Sequence, residues 1–399
     1  MTSGFLRNAI VLGLMAAVGP FAIDMYLPAL PTIAADLNTS TAATQMTLMV
    51  FFVSFGICQI FYGPAADMLG RKPPLYFGLA VFALGGVGCA LAPTIGWLIF
   101  FRFVQGVGAA SVMVIPRAII RDLHTGPEAT RLMALVMLVI SVSPILAPLT
   151  GSALIVPFGW RSVFVGITII AILTLLLVIF LQPETRPPEE RIKFSFGALM
   201  DGFGQLFRDP YFLGLTFIGA LGMSSFFSFL AGSSFVYIEH FGLTPTGYSL
   251  AFGVNAIGFI GASQFAAKLG MRFGMSRVIT IATLAYMVFS VALFVVTAAG
   301  VDSLPVMMVL IFIAFAFMGL VIPTTMVLAL EDHGPIAGMA SALGGTLQMM
   351  TGAVVIVIVS IFTDNTPLPM VAAIAACSVG AYVLAYLTLR RGGAEKLAG

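Results

Sequence analysis

Ala9-Ile-Val-Leu-Gly-Leu-Met-Ala-Ala-Val-Gly-Pro-Phe-Ala-Ile-Asp24-Met-Tyr-Leu-Pro-Ala-Leu30 is an apolar run long enough to cross a bilayer, with one carboxylate near its end. A central Asp costs about 2.5–3.5 kcal/mol on insertion scales, so a span that keeps one marks a functional group. Arg7 precedes the run, as in a signal peptide, but the run carries Asp24 and ends in Leu27-Pro-Ala-Leu-Pro31 rather than in small residues. A retained first span is expected.

The rest of the chain repeats the pattern. Of 399 residues 60% are hydrophobic and 9% charged, against about 25% charged in a soluble domain. Twelve runs of spanning length are expected over 8–31, 43–65, 74–92, 96–117, 130–154, 162–181, 211–236, 247–267, 277–298, 304–329, 337–362 and 368–389. Backbone in hydrocarbon must satisfy its own hydrogen bonds, so each is a helix, and the class is an all-α membrane protein. The charged stretch 183–209 divides the spans into two sets of six, residues 1–182 and 210–399, which predicts two pseudo-symmetric halves. With both termini in the cytoplasm, all but Arg102 and Arg161 of the 18 basic residues fall inside. The loop Glu331-Asp332-His333 is the exception, having no Lys or Arg.

Several classes drop out. Cys58, Cys89 and Cys377 lie in separate apolar runs, without metal-ligand or disulfide spacing. His124, His240 and His333 stand alone in loops, which offers no enzyme, metal or cofactor site. No basic block suggests nucleic acid, and no ring or filter pattern suggests a channel.

Gly63-Pro-Ala-Ala-Asp67-Met-Leu-Gly70-Arg71-Lys72 lies between spans two and three. Its glycines permit close approach and a tight turn. Asp67, an acid where orientation asks for bases, is expected to pair with a base at the inner end of span four, near Arg117, Arg121 and Asp122. Lys268-Leu-Gly-Met-Arg-Phe-Gly-Met-Ser-Arg277 is a weaker copy at the matching place in the second half. In span four, Arg102-Phe-Val-Gln105-Gly106-Val-Gly108 places Arg102 about 9 Å below the outer end, while Asp24 lies about 10 Å below the same face. The two charges are therefore expected to be partners.

These motifs resemble the signatures of the major facilitator superfamily. Ser143-Pro144-Ile-Leu-Ala147-Pro148-Leu-Thr-Gly151 in span five is similar to the signature of drug/proton antiporters, with Ala and Ser replacing glycines. Phe21-Ala-Ile-Asp24-Met-Tyr26-Leu-Pro28 and Gly159-Trp160-Arg161-Ser-Val-Phe164 resemble the bicyclomycin- and chloramphenicol-resistance (Bcr/CflA) branch. The resemblance implies a monomeric, proton-coupled multidrug exporter of lipophilic molecules in the bacterial inner membrane, working by alternating access. Asp24 and Arg102 would couple protons, and Gly63, Asp67, Gly70, Arg71, Arg117, Arg121 and Asp122 would form an inner latch. Pro144, Pro148 and Gly151 would serve the antiporter motif. Tyr26, Gln59, Gln105, Phe226, Phe227, Asn255 and Gln348 are candidates for the cavity that takes the drug. The alternative is a proton-coupled importer of a small metabolite.

Overall fold

Pro28 and Pro31 decide the shape of the first span. A proline has no N–H, so Pro28 cannot donate to the carbonyl of Asp24, nor Pro31 to that of Leu27. In the computed structural model, which describes residues 3–124, 126–191, 196–364 and 366–398, helix α1 (Ser3–Asp24) stops at the carboxylate. A turn and one short 3-10 segment, Leu27–Ala29, lead into α2 (Leu30–Asp36). Lys193 lies outside the described residues.

The chain continues as α3 (Thr41–Leu69), α4 (Lys72–Leu91), α5 (Ile95–Leu123), α6 (Gly126–Phe158) and α7 (Arg161–Leu181). Then come α8 (Phe196–Arg208), α9 (Pro210–Ser234), α10 (Pro245–Ser263), α11 (Ala266–Phe273), α12 (Met275–Ala298), α13 (Leu304–Glu331), α14 (Ala337–Phe362) and α15 (Leu368–Ala398). Among the described residues twelve helical stretches are long and apolar enough to span a membrane, the first running from Phe5 through the break to Asp36. No strand occurs among the described residues. The fold is an all-α, multi-pass membrane architecture.

Two compact units form. One comprises Met1–Phe194 with Pro245–Ser249, the other Ser195–Thr244 with Leu250–Gly399.

In the first unit α5 is the inner post, packed on α3 and α4, while α1 packs on α5, α6 and α7. Small residues set this spacing. A methyl group on Gly106 would lie 2.5 Å from the carbonyl oxygen of Phe51, and one on Gly108 would lie 2.4 Å from that of Gly78. Helices that share hydrocarbon with lipid gain little from apolar burial, so such backbone approach supplies the contact. At the far end of α7 from the linker, Asp36 accepts from Trp160 Nε1 at 2.9 Å and from Arg161 Nη1 at 2.7 Å.

In the second unit α9 is the centre, packed on α13, α14 and α15, and α12 packs on α13 and α15. Helix α8 is the short exception to the spans. Its Leu206 and Phe203 are buried, and it packs on α9 and α14.

Candidate functional site

The break in the first span puts Asp24 at a helix end without giving its side chain a partner. Asp24 is 4% exposed, and among the described residues no hydrogen bond or ion pair reaches its carboxylate. This sets it apart from ordinary buried acids, which are paired or hydrogen-bonded.

The break also frees backbone. Met25 N–H still bonds back into α1, to Phe21. The carbonyl of Ala22 instead accepts from Arg102 Nη1 at 3.2 Å. The same Nη1 donates to Gln105 Oε1 at 2.6 Å. Arg102 is fully buried, and its guanidinium carbon lies 4.4 Å from the ring centre of Phe51, 4.8 Å from Tyr26 and 6.0 Å from Phe164. A desolvated cation–π contact of this kind contributes about 2 kcal/mol. Tyr26 Oη bonds Thr47 Oγ1 at 2.5 Å, and that hydroxyl donates to the carbonyl of Thr44 at 2.6 Å. Thr47 has spent its proton, so Tyr26 donates.

Arg102 and Asp24 therefore share a depth but not a bond, contrary to the expectation from their heights alone. Ala22 and Asp24 are two residues apart on α1, about 200° around the axis, so the guanidinium that meets one turns away from the other. Tyr26 and Gln105, both cavity candidates, are fully buried against Arg102.

Helix α6 reaches the break from a third side. A methyl group on Gly151 would sit 2.0 Å from the carbonyl oxygen of Met25, so α6 lies directly against the residue after Asp24. Pro148 is buried and Pro144 half-buried on the same helix.

A second polar cluster sits where α3 and α5 end and α4 begins. Arg71 is 3% exposed. Its Nη1 donates to Asp67 at 2.7 Å, and its Nε and Nη2 grip Asp122 at 2.7 and 3.0 Å. Burial works against its guanidinium, but the two carboxylates outweigh that and hold it above its ordinary value. The segment after α7 enters the same cluster. Glu184 accepts the backbone N–H groups of Arg71 at 2.8 Å and Lys72 at 3.0 Å, capping α4. Burial alone would push Glu184 up; the amides of Arg71, Lys72, Arg186 and Thr185 hold it below the usual carboxylate range. Thr185 donates to Asp122 at 2.9 Å, and Arg186 approaches Asp67 at 3.6 Å. Gly70, at φ +92°, makes the turn, and a methyl group there would lie 2.8 Å from Glu184.

Asp67 was expected to pair with a base on span four, and the structure differs. Its partners are Arg71 and Arg186, and the contribution of α5 is the acid Asp122. Neither Arg117 nor Arg121 has an ion-pair partner among the described residues. Positions 117 and 121 share one face of α5, about 40° apart, and 122 lies about 100° further round, on the side that meets Arg71. Gly63 lies one turn before Asp67 on α3, clear of the cluster.

The other cavity candidates are divided between the units, Gln59 in the first and Phe226, Phe227, Asn255 and Gln348 in the second. Gln59 is half-buried on α3. Phe226 lies at the hub of rings that includes Phe227, Phe252, Phe259 and Phe315. Asn255 donates to Tyr237 Oη at 3.4 Å, and Gln348 is half-buried on α14. Thr47, Phe51, Phe164, Glu184, Thr185 and Arg186 were not anticipated. For the phenylalanines no signal separates a cation-holding ring from packing. Glu184 carried none either, since the stretch 183–209 holds five acids and four bases and one acid among them does not stand out.

Residues 12–357 match the family model described as Major Facilitator Superfamily. The uncharacterized MFS-type transporter YdgK of Bacillus subtilis (strain 168) is 36% identical over 367 residues, which cover 92% of this chain and 91% of the relative. A bicyclomycin resistance protein homolog of Haemophilus influenzae is 31% identical over 383 residues, 95% of each. Among solved structures, a D-xylose-proton symporter superposes over 97% of both chains with a TM-score of 0.76 at 16% identity, a likeness of fold alone.

Proposed function

The chain belongs to the Major Facilitator Superfamily, and from that premise we propose that it is a proton-coupled exporter of lipophilic small molecules of the amphenicol or bicyclomycin kind. One observation carries the proposal: Asp24 is a buried carboxylate at a proline-made helix break, with no cation or donor among the described residues to answer its charge. A proton is then its available neutralising partner. Deprotonated Asp24 favours the loaded, inward-open protein, and a proton arriving from outside favours release. One charge falling through 100 mV yields about 2.3 kcal/mol, enough for a roughly fiftyfold gradient of a neutral drug.

In this reading Arg102 acts on the backbone of α1 rather than on the carboxylate itself. Its bond to Ala22 and its stack on Tyr26 hold the break in shape while Asp24 changes charge. The cluster of Asp67, Arg71 and Asp122, tied to Glu184, is a latch that forms in one state and opens in the other. The similarity to a bicyclomycin resistance protein homolog supports the drug class, and the Pro144–Gly151 motif of α6 supports exchange. The halves, residues 1–182 and 210–399, move about the linker 183–209 in a monomer of the bacterial inner membrane with both termini inside.

The test is gradient-driven transport in proteoliposomes. With an imposed proton gradient, chloramphenicol or bicyclomycin should move against the protons, and Asp24→Asn should stop it. Movement of a polar metabolite with the protons, and of neither drug, would establish the importer instead.

A further inference from the structure

The loop Glu331-Asp332-His333, which has neither Lys nor Arg, plays no part in the proton coupling proposed above. Its histidine does not stand alone. His333 is 6% exposed and packs edge-on against Phe212, with ring centres 5.2 Å apart. Its Nε2 lies 3.2 Å from Asp209 Oδ2, and its Nδ1 lies 3.1 Å from the carbonyl oxygen of Ala329, one turn back in the chain. A carbonyl and a carboxylate can only accept, so each contact needs a hydrogen on the ring. A neutral imidazole carries one, and only the imidazolium satisfies both contacts.

Asp209 is itself fixed. Its other oxygen, Oδ1, accepts the N–H groups of Tyr211 at 2.8 Å and Phe212 at 3.1 Å, as the N-cap of α9. The charged ring thus ties the first turn of α9, the central helix of the second unit, to the end of α13. An open cavity of about 630 Å³, lined by both partners, gives water and protons a path to them. The neighbouring charges are Asp201 and Arg208 of α8, on the same cavity, and Glu331 and Asp332, which precede the ring in the chain. Tyr211 lies within electrostatic reach of Asp209, Glu331 and Asp332. Lys268, Arg272 and Arg277, on α11 and α12, pair with none of these acids among the described residues. Histidine is the side chain that changes charge between about pH 5 and 8. We propose that His333 and Asp209 form a proton-operated clasp at this end of the second unit. The protonated ring holds α9 to α13, and loss of its proton sets two acceptors face to face and releases the hold. The clasp needs neither drug nor Asp24. That it faces the cytoplasm, and so responds to internal pH, rests on the orientation proposed above.

Hydrogen–deuterium exchange of the full chain in lipid nanodiscs tests the clasp, with labelling times scaled to equal chemical exchange at about pH 6 and pH 8. Peptides spanning 207–215 and 328–337 should exchange about three- to tenfold faster at the higher pH, the worth of one hydrogen bond. His333→Gln should erase that difference. So should Asp209→Asn, which keeps an oxygen to cap α9. The peptides that hold His124 and His240, whose rings face Glu128 and Asp302, should respond to pH in both variants as they do in wild type. Equal exchange at the two pH values in the wild-type chain, or a faster exchange at high pH that survives in either variant, would overturn the clasp. Drug transport by the same protein in proteoliposomes separates the two claims. A pH-dependent clasp without efflux of any drug would sink the efflux reading and leave the clasp, while efflux without the pH difference would sink the clasp alone.

Discussion

Two acidic regions of the first unit are built in opposite ways. Near the end of α3, Asp67, Asp122 and Glu184 are answered by Arg71, Arg186, Thr185 and backbone amides. At the break in α1, Asp24 has no partner among the described residues, although a guanidinium bonds the next carbonyl but one. A fully paired carboxylate resists protonation and holds elements together. An unpaired one in a closed site is free to exchange its proton. In the proposed function the first region holds and the second couples.

Asp24→Asn breaks the comparison most severely. It should abolish gradient-driven drug movement while leaving the melting temperature unchanged or higher, because it removes a buried group that stabilises nothing. A large loss of stability would mean that the carboxylate is a structural anchor. Arg71→Ala comes next. It strands Asp67 and Asp122 together, which should cost about 3 kcal/mol and be visible as a lowered unfolding midpoint. If it unfolds no sooner than wild type, the cluster holds nothing.

Tyr26→Phe sharpens the picture of the clamp. It keeps the ring under Arg102 and removes only the bond to Thr47, so a loss of about 1 kcal/mol and a modest fall in transport rate are expected. A mutant as inactive as Asp24→Asn would place the phenol itself in the proton path. The smallest effect concerns pH. Glu184 is held below its ordinary value of 4.5, so its contribution to stability is complete above that value and fades as pH falls through the lowered one. Glu184→Gln should therefore flatten the acid limb of a melting-temperature profile and lower the plateau near neutrality. An unchanged acid limb would show that its bonds to Arg71 and Lys72 carry no net stability.

The fold was legible in the sequence because its evidence is compositional. Runs of about twenty apolar residues and the distribution of lysine and arginine do not depend on tertiary detail. Asp24, Arg102 and Asp67 were legible as charges in costly or unexpected places. Their partners were not. A rise of 1.5 Å per residue yields depth, and depth put Asp24 beside Arg102, but only azimuth tells which residue of α1 the guanidinium meets. The proline break makes azimuth harder to read, since residues after Asp24 no longer follow the helical phase. Glu184 and Arg186 reach the Arg71 cluster from more than a hundred positions away, and no local spacing reports that closure. Gly151 looked like a motif glycine; its contact with the backbone of Met25 needed coordinates.

The central claim is that Asp24 releases its proton in exchange for drug. The most direct measurement is proton release from purified, lightly buffered protein on addition of chloramphenicol or bicyclomycin, followed with a pH dye. The account predicts release from the wild-type chain of about one proton per molecule bound, and none from Asp24→Asn at saturating drug. Equal release from both proteins would contradict it and move the coupling site away from the break in α1.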